Sequence, residues 1–465
     1  MVETVFGAAA EQRGAGCAPQ VELELASIVP RQAKTVRDTG LEPRLITELV
    51  VKAVEAGGKT PLPALSNKLK LSISVLREVL GALVAEQQVE VAWCGESDID
   101  VQYQLTGPGQ RAAAEYLARS QYVGPAPVTL AAYRAMVERQ SLRRPAAERI
   151  TPALLAAGLG DDGLDPGLRE LIGAALHSNR ALLLHGPSGS GKTTLAGKLG
   201  RLLPGVVALP YAILVERQII QFYDPLCHLA APPRQGRAQE DRRSLDGRWA
   251  ICRRPLVHVG AELTRDMLDL RHDALNGVYH APPQFQANNG VFIVDDVGRQ
   301  RVPAAELLKR WIGPLDHGVD QLSLQGGHSE TVPFDATLVF ATNLVPATVF
   351  DEAFMRRIGY KIPVGALSEA SYRSLWRRQC RSHGLEPDDD SVDFLLAQLH
   401  RRAGCPLLAS YPQELLGRIV DFAGFAGQPP RLSAAALEQA WTSMFASCST
   451  SAQAIPDCAA ILSGE

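Results

Sequence analysis

The spacing of apolar side chains changes period several times along this chain. LITELVVKAVEAGG (45–58) repeats at three and four residues and stops at two glycines, and LPALSNKL (62–69) is a second, shorter helical segment. SISVLREVLGALVAEQQ (72–88) carries Ile73, Leu76, Leu80, Leu83 and Val84 at helical spacing. VEVAW and DVQYQLT then alternate like two strands joined around Gly95, which gives three helices and a hairpin over 41–120. Residues 1–40 lack sustained periodicity and read as a poorly ordered leader. GQRAAAEYLARSQ, the Pro/Gly segment YVGPAPVTL and YRAMVERQSLRRPAAERI follow, so 121–164 reads as a linker with Arg139, Arg143, Arg144 and Arg149 turned to water.

From 165 to 364 strand-like apolar runs alternate with helical patterns: ALLLHG, KTTLAGKLGRLL, VVALPYAILV, PLVHVG, VFIVDD, AAELLKRWIGPL, ATLVFATNL and YKIPV. Continuous apolar runs separated by helices call for an α/β fold, with a parallel sheet buried between helices. Residues 365–447 show helical periodicity only, in SYRSLWRRQCRSHG, DSVDFLLAQLHRRAG, YPQELLGRIVDFAGFAG and SAAALEQAWTSMF, and predict a small helical lid. A flexible tail is expected at 448–465.

At 465 residues the chain exceeds what one core organises, and 46% hydrophobic with 21% charged residues excludes a disordered or fibrous class. A net charge of −3 removes any whole-chain nucleic-acid footprint, so DNA binding has to be argued locally. Three helices and a hairpin describe a winged-helix domain, whose third helix often enters a DNA groove. Here that helix offers Arg77 beside Glu78, a poor groove reader, which favours a protein-docking module with DNA as the alternative. Eight scattered cysteines without a C-x-x-C read as reduced thiols. The start has Glu3 and Arg13 instead of a basic end and an apolar block, and no apolar stretch reaches the about 18 residues that span a bilayer, so a cytoplasmic protein is expected.

Gly186-Pro187-Ser188-Gly189-Ser190-Gly191-Lys192-Thr193 matches G-x-x-x-x-G-K-[ST], between a buried-strand run and a helical run opening at Thr194. Glycines let successive N–H groups converge on phosphate oxygens, Lys192 supplies a mobile positive charge, and the Thr193 hydroxyl suits magnesium. The arrangement predicts binding of ATP with Mg2+. VFIV ends in Asp295 and Asp296; the first could hold magnesium through water and the second polarise an attacking water. LVFAT ends in Asn343, a neutral partner for that water or the γ-phosphate. Arg356 and Arg357 close a short helix, either as surface charge or with one reaching a neighbouring subunit's γ-phosphate.

Phosphate loop, acidic strand end, strand-end Asn, twin-arginine helix and helical lid follow the order of the AAA+ ATPases, which the chain resembles from about 150 to 445. That resemblance implies Walker A for Gly186 to Thr194, Walker B for Asp295 and Asp296, sensor 1 for Asn343 and the arginine finger for Arg356 or Arg357. Arg357 is favoured because MoxR-type and Clp-type relatives place their arginine directly before the apolar residue that leads into the last strand. SQYVGPAPVTLAAY, DPLCHLA, DDVGRQRVPAAELLKRWIGPLD and DEAFMRRIGYKI are similar to a bacterial family described as predicted ATPases with chaperone activity associated with Flp pilus assembly. The resemblance implies a motor that remodels a protein client, working as a homo-oligomeric ring, most often a hexamer.

Two positions depart from the family pattern. Pro412 is followed by Gln413 where a nucleotide-sensing arginine stands in relatives, and Asp296 replaces a glutamate one methylene longer, about 1.5 Å. They leave open a weakly hydrolysing nucleotide-binding scaffold, as the winged helix leaves open a DNA-associated ATPase. Roughly one hundred positions separate Lys192 from Asp295 and imply an insertion around 205–289. Within it the stretch 234–254 holds seven arginines, Arg234, Arg237, Arg242, Arg243, Arg248, Arg253 and Arg254, which suggest a channel lining that grips a client or a nucleic-acid strand; an ordinary exposed loop is the alternative.

Overall fold

The computed structural model describes residues 29–145, 147–160, 164–231, 244–325 and 327–445. The expected tail at 448–465 and most of the expected leader lie outside them. Helix α1 (Pro43–Gly57) is followed by β1 (Thr60–Pro61), α2 (Leu62–Leu69), α3 (Ile73–Ala85), β2 (Val89–Cys94), β3 (Val101–Leu105) and α4 (Gly107–Arg119). Pro43 opens α1 where a missing N–H costs nothing, and Ser72 caps α3 by accepting the Val75 N–H at 3.1 Å. The strands pair in the order β1-β3-β2, and Ile46, Leu49, Leu65, Leu76 and Leu80 share one core.

The end of the expected leader is built into this part. Ser72 donates its hydroxyl to the Ala33 carbonyl at 2.6 Å, and the Val36 N–H donates to Glu78 at 2.9 Å. Val29 and Val36 are buried. The expected linker also packs, into β4 (Val128–Thr129), α5 (Leu130–Arg139) and α6 (Pro152–Leu159). Tyr133, Met136 and Val137 sit three and four residues apart on α5 and are buried; Arg139, Arg143 and Arg144 are exposed as expected, whereas Arg149 is half-buried. An apolar stripe outweighs the neighbouring charge run, because each large side chain removed from water contributes about 1.5–3 kcal/mol.

Helix α7 (Pro166–Ser178), β5 (Leu182–His185) and α8 (Lys192–Arg201) open the α/β part. Then come β6 (Val206–Pro210), β7 (Ala212–Val215), β8 (Gln218–Gln221), β9 (Trp249–Arg253), β10 (Leu256–Val259), β11 (Arg271–Asp273), β12 (Val278–His280) and β13 (Val291–Val294). Helices α9 (Ala304–Lys309) and α10 (Ile312–His317), the hairpin β14 (Val319–Ser323) and β15 (Ser329–Pro333), β16 (Thr337–Thr342), α11 (Glu352–Arg357) and β17 (Tyr360–Pro363) complete it. A five-stranded sheet runs β10-β13-β16-β5-β17 with every neighbour parallel. Leu183, Phe292, Val294, Leu338 and Phe340 face one layer with Trp311 and Phe354, while Leu182, Leu184, Ile293, Val339 and Ala341 face another with Ile172, Leu195 and Leu199. Both faces are covered, which is why the runs are apolar throughout instead of alternating.

The insertion corrects one expectation: VVALPYAILV does not join the parallel sheet. It divides at Pro210 and Tyr211, β6 pairing antiparallel with β9 and β7 entering a second sheet of order β11-β12-β8-β7-β4. Among the described residues of this stretch β10 alone belongs to the central sheet.

Two of the seven arginines depart from the expected lining, Arg248 being buried and Arg254 half-buried, whereas Arg253 is exposed. Arg248 Nε donates to both Asp246 oxygens at 3.0 and 3.1 Å, and one terminal nitrogen reaches the Thr39 and Pro127 carbonyls at 2.9 and 3.2 Å. Arg254 donates to the Pro204, Gln140 and Asn289 carbonyls. These guanidiniums satisfy backbone acceptors and are structural. Arg234, Arg237, Arg242 and Arg243 lie outside the described residues.

The carboxyl-terminal part is helical, with α12 (Glu369–Ser382), α13 (Asp389–Phe394), α14 (Tyr411–Phe425) and α15 (Ala434–Phe445) around Tyr372, Trp376, Leu415 and Leu437. Among the described residues no disulfide joins the cysteines, and no helix is long and apolar enough to cross a membrane.

Candidate functional site

The loop Gly186–Gly191 joins β5 to α8 at the carboxyl edge of the parallel sheet, where an open α/β sheet leaves a crevice. Gly186, Gly189 and Gly191 have φ of 148°, 80° and 93°. At Gly186 a Cβ would stand 2.2 Å from the Val364 carbonyl oxygen, so the loop lies flush against the end of β17. Ser72, Thr106, Thr129, Thr151 and Ser368 cap their helices, whereas α8 begins at Gly191 without a side-chain cap. The sequence keeps the first-turn N–H groups of α8 uncapped at the point where a helix terminus favours an anion.

Lys192 is 7% exposed, and its ammonium donates to the Gly186 and Pro187 carbonyls at 2.9 and 2.7 Å. Burial lowers its pKa, opposed by Asp295 and Asp296. Burial and the nearby Lys192 charge lower the pKa of His185, at the end of β5.

Strand β16 lies between β5 and β13, so three strand ends meet in one place. The Thr193 hydroxyl donates to Asp295 Oδ2 at 2.6 Å, closing a contact across 102 positions of sequence. These two side chains offer adjacent hard oxygens of the kind that divalent magnesium selects. Asp296 takes a φ of 49°, and its N–H donates to Asp295 Oδ1 at 2.8 Å. Asn343 follows β16 directly and accepts a hydrogen bond from Arg299 Nε at 3.2 Å.

Sequence reasoning missed His258, Arg299, Gln300 and Ser410. His258 is on β10 opposite Ile293, with Nε2 3.5 Å from Asp295 Oδ2. Burial alone would raise the Asp295 carboxyl, but the hydrogen bonds from His258, Thr193 and the Asp296 N–H outweigh it and hold the pKa below the ordinary value. The hydrogen bond to Asp295 raises the His258 pKa in return. A lone polar residue in the run PLVHVG was the visible signal, but nothing in sequence says which strand lies beside β13.

Gln413 lies in the first turn of α14 and lines a cavity of about 660 Å³ with Ser410, Glu414, Gly417, Arg418 and Asp421. The Ser410 N–H donates to the Gly189 carbonyl at 3.0 Å, which brings the start of α14 onto the glycine loop. The structure does not bring the twin arginines to this crevice. Arg356 pairs with Glu352 at 2.6 Å, and Arg357 Nε donates to both Asp316 oxygens at 2.7 and 2.9 Å.

A family described as a domain of unknown function, DUF8689, matches residues 368–443, from the cap of α12 to within α15. No curated protein sequence matches the chain significantly. Among solved structures, NtrX from Brucella abortus in complex with ATP is similar at 16% identity and a TM-score of 0.38, over 72% of this chain and 64% of that one. This chain therefore spans less than two thirds of NtrX. The Thermotoga maritima RuvB Holliday junction branch migration motor is similar at 14% identity and a TM-score of 0.35, over 63% of this chain and 73% of that one. Overlaps this partial carry no functional assignment, which has to come from the residues of the crevice.

Proposed function

We propose that this chain is an AAA+-type ATPase that binds ATP with Mg2+ between the sheet edge and the helical lid. The Thr193–Asp295 contact of 2.6 Å carries this reading, since it joins the last residue of the glycine-rich motif to the acidic strand end at the uncapped start of α8. In this reading the loop N–H groups and Lys192 hold the phosphates, Thr193 and Asp295 hold the metal, and Asp296 and Asn343 position water. Magnesium, when bound, would offset phosphate charge and polarise the bond that breaks. Arg357 serves a neighbouring subunit of a homo-oligomeric ring, with a hexamer favoured, and hydrolysis moves the lid to remodel a protein client. We assign 41–120 as a winged-helix module, 165–364 as the nucleotide-binding core and 365–447 as the lid.

The surface of the amino-terminal module supports protein docking over DNA. Arg77 donates to the Asp98 carbonyl at 2.6 Å, and Val84, Val91, Trp93 and Ile99 are exposed. The experiment is calorimetric binding of ATP with Mg2+, together with phosphate release, for wild type and Lys192→Ala. Wild type should bind and turn over, and the variant should do neither. Binding that survives in the variant would remove the reading. A second reading, a scaffold with slow turnover, is favoured by Gln413 and by the left-handed backbone at Asp296, and is distinguished by tight binding without phosphate release.

A further inference from the structure

The turn after β13 is more constrained than an ordinary strand-to-helix connection needs to be. Asp296 and Gly298 both have positive φ, 49° and 98°, and the Arg299 N–H closes back on the Asp296 carbonyl at 2.9 Å. A Cβ at Gly298 would stand 2.8 Å from Leu344, so the turn lies against the loop that follows Asn343. The Val297 N–H donates to the Ala341 carbonyl at 2.9 Å, and the Thr342 hydroxyl donates to the Val297 carbonyl at 2.8 Å. Gln300, 9% exposed, accepts the Gly298 N–H at 2.9 Å and donates to the Asp295 carbonyl at 3.0 Å. These contacts tie the backbone of Arg299 to the acidic strand end on one side and to the Asn343 strand end on the other.

On that anchored backbone Arg299 is exposed, and its Nε donates to Asn343 Oδ1 at 3.2 Å. A guanidinium has donors and no acceptor, so the Asn343 amide has to present its oxygen to Arg299. Both Asn343 Nδ2 hydrogens are thereby left for a different acceptor. The same bond uses one of five Arg299 donors, leaving the terminal nitrogens of the fork for an anion. Gln413, on the lid side of the crevice, is neutral.

We propose that Arg299 and Asn343 act as a coupled pair that distinguishes a nucleoside triphosphate from a diphosphate at this site, Arg299 supplying in cis the charge that the lid lacks. The inference rests on the nucleotide-binding reading above. Arg299 has two parts in this pair: it sets the orientation of the Asn343 amide, and it adds to the charge of Lys192 a second cation that responds to the last phosphate. The loss of that phosphate leaves the pair bonded to itself.

The test uses the full chain and measures dissociation constants for Mg-ATP and Mg-ADP in wild type, Arg299→Ala, Asn343→Ala, the double variant, Arg299→Lys and Lys192→Ala. Arg299 is exposed, so matching thermal midpoints are expected and serve as the control for folding. Each single alanine variant should weaken ATP about ten- to hundredfold and move ADP by less than about threefold. The double variant should be no weaker than the worse single, because the two side chains work as one unit. Arg299→Lys should recover part of the preference for ATP, since an ammonium also has donors only. An unchanged ATP-to-ADP ratio in Arg299→Ala, parallel losses for both nucleotides, or independent losses that multiply in the double variant would each overturn the pair. Absence of ATP binding in wild type, or unaltered binding in Lys192→Ala, would instead overturn the nucleotide reading and take the pair with it.

Discussion

Removing the Asp246 carboxylate tests whether the arginine-rich insertion is built for structure or for gripping a client. Asp246 and Arg248 are each 6% exposed, and the guanidinium makes three hydrogen bonds of 2.7 to 3.1 Å to the carboxylate. Asp246→Ala strands a guanidinium in the interior, a change that costs about 3–5 kcal/mol. For a cooperative unit of about 150–250 residues each kcal/mol lowers the midpoint by about 2–4 °C, so a fall of about 6–20 °C is expected in scanning calorimetry. Arg248→Met should cost a similar amount, because it leaves the Asp246 carboxylate buried without its partner and the Thr39 and Pro127 carbonyls without a donor. The double variant Asp246→Ala/Arg248→Met should melt above Asp246→Ala alone. Midpoints within about 2 °C of wild type for both single variants would refute the structural role and return these residues to the channel hypothesis.

Gly186→Ala should abolish nucleotide binding and destabilise the protein by about 1–3 kcal/mol, because its Cβ would meet the Val364 oxygen at 2.2 Å where the Val364 N–H already holds His185; normal binding in this variant would count against the loop geometry. Asp295→Asn should raise the magnesium concentration needed for half-maximal ATP binding at least tenfold, measured by titration at fixed nucleotide, and an unshifted midpoint would remove Asp295 from the metal. Arg357→Ala should leave ATP affinity within about threefold while lowering turnover at least about a thousandfold in assembled protein, and equal turnover would dismiss it as a finger. Among the carboxyl-terminal helices, burial pushes the pKa of His400 down to about 4 from an ordinary 6.5. The unfolded chain then binds the extra proton between those values, so stability is present above about pH 6.5 and is lost as pH falls to about 4, by about 2–4 kcal/mol. Fluorescence of Trp441, whose ring is 4.8 Å from His400, should report this loss, and His400→Gln should flatten it.

The glycine-rich loop, the acidic and Asn-bearing strand ends and the carboxyl-terminal helices were legible in the sequence because each is a local pattern. A glycine spacing, an apolar run that stops at a polar residue and a helical period all depend on neighbours within about a dozen positions. Fully apolar runs such as VFIV and LVFA also announced a sheet covered on both faces. Local pattern misled where two kinds of signal competed. Charge suggested a connector at 121–164, but Tyr133, Met136 and Val137 decided the packing. VVALPYAILV has the composition of a central strand, yet Pro210 offers no N–H to continue a ladder, and the chain turned into another sheet.

Only the tertiary structure determined which strand lies beside which. The order β10-β13-β16-β5 sets Thr193 on Asp295 across 102 positions, puts His258 beside that carboxylate and brings Arg299 to Asn343. The same long-range packing buried Arg248 while leaving Arg299 exposed, although each directly follows a glycine in the sequence. The physical reason is that composition and period fix which surface of an element must leave water, whereas a charge takes its role from the groups that other elements bring to it.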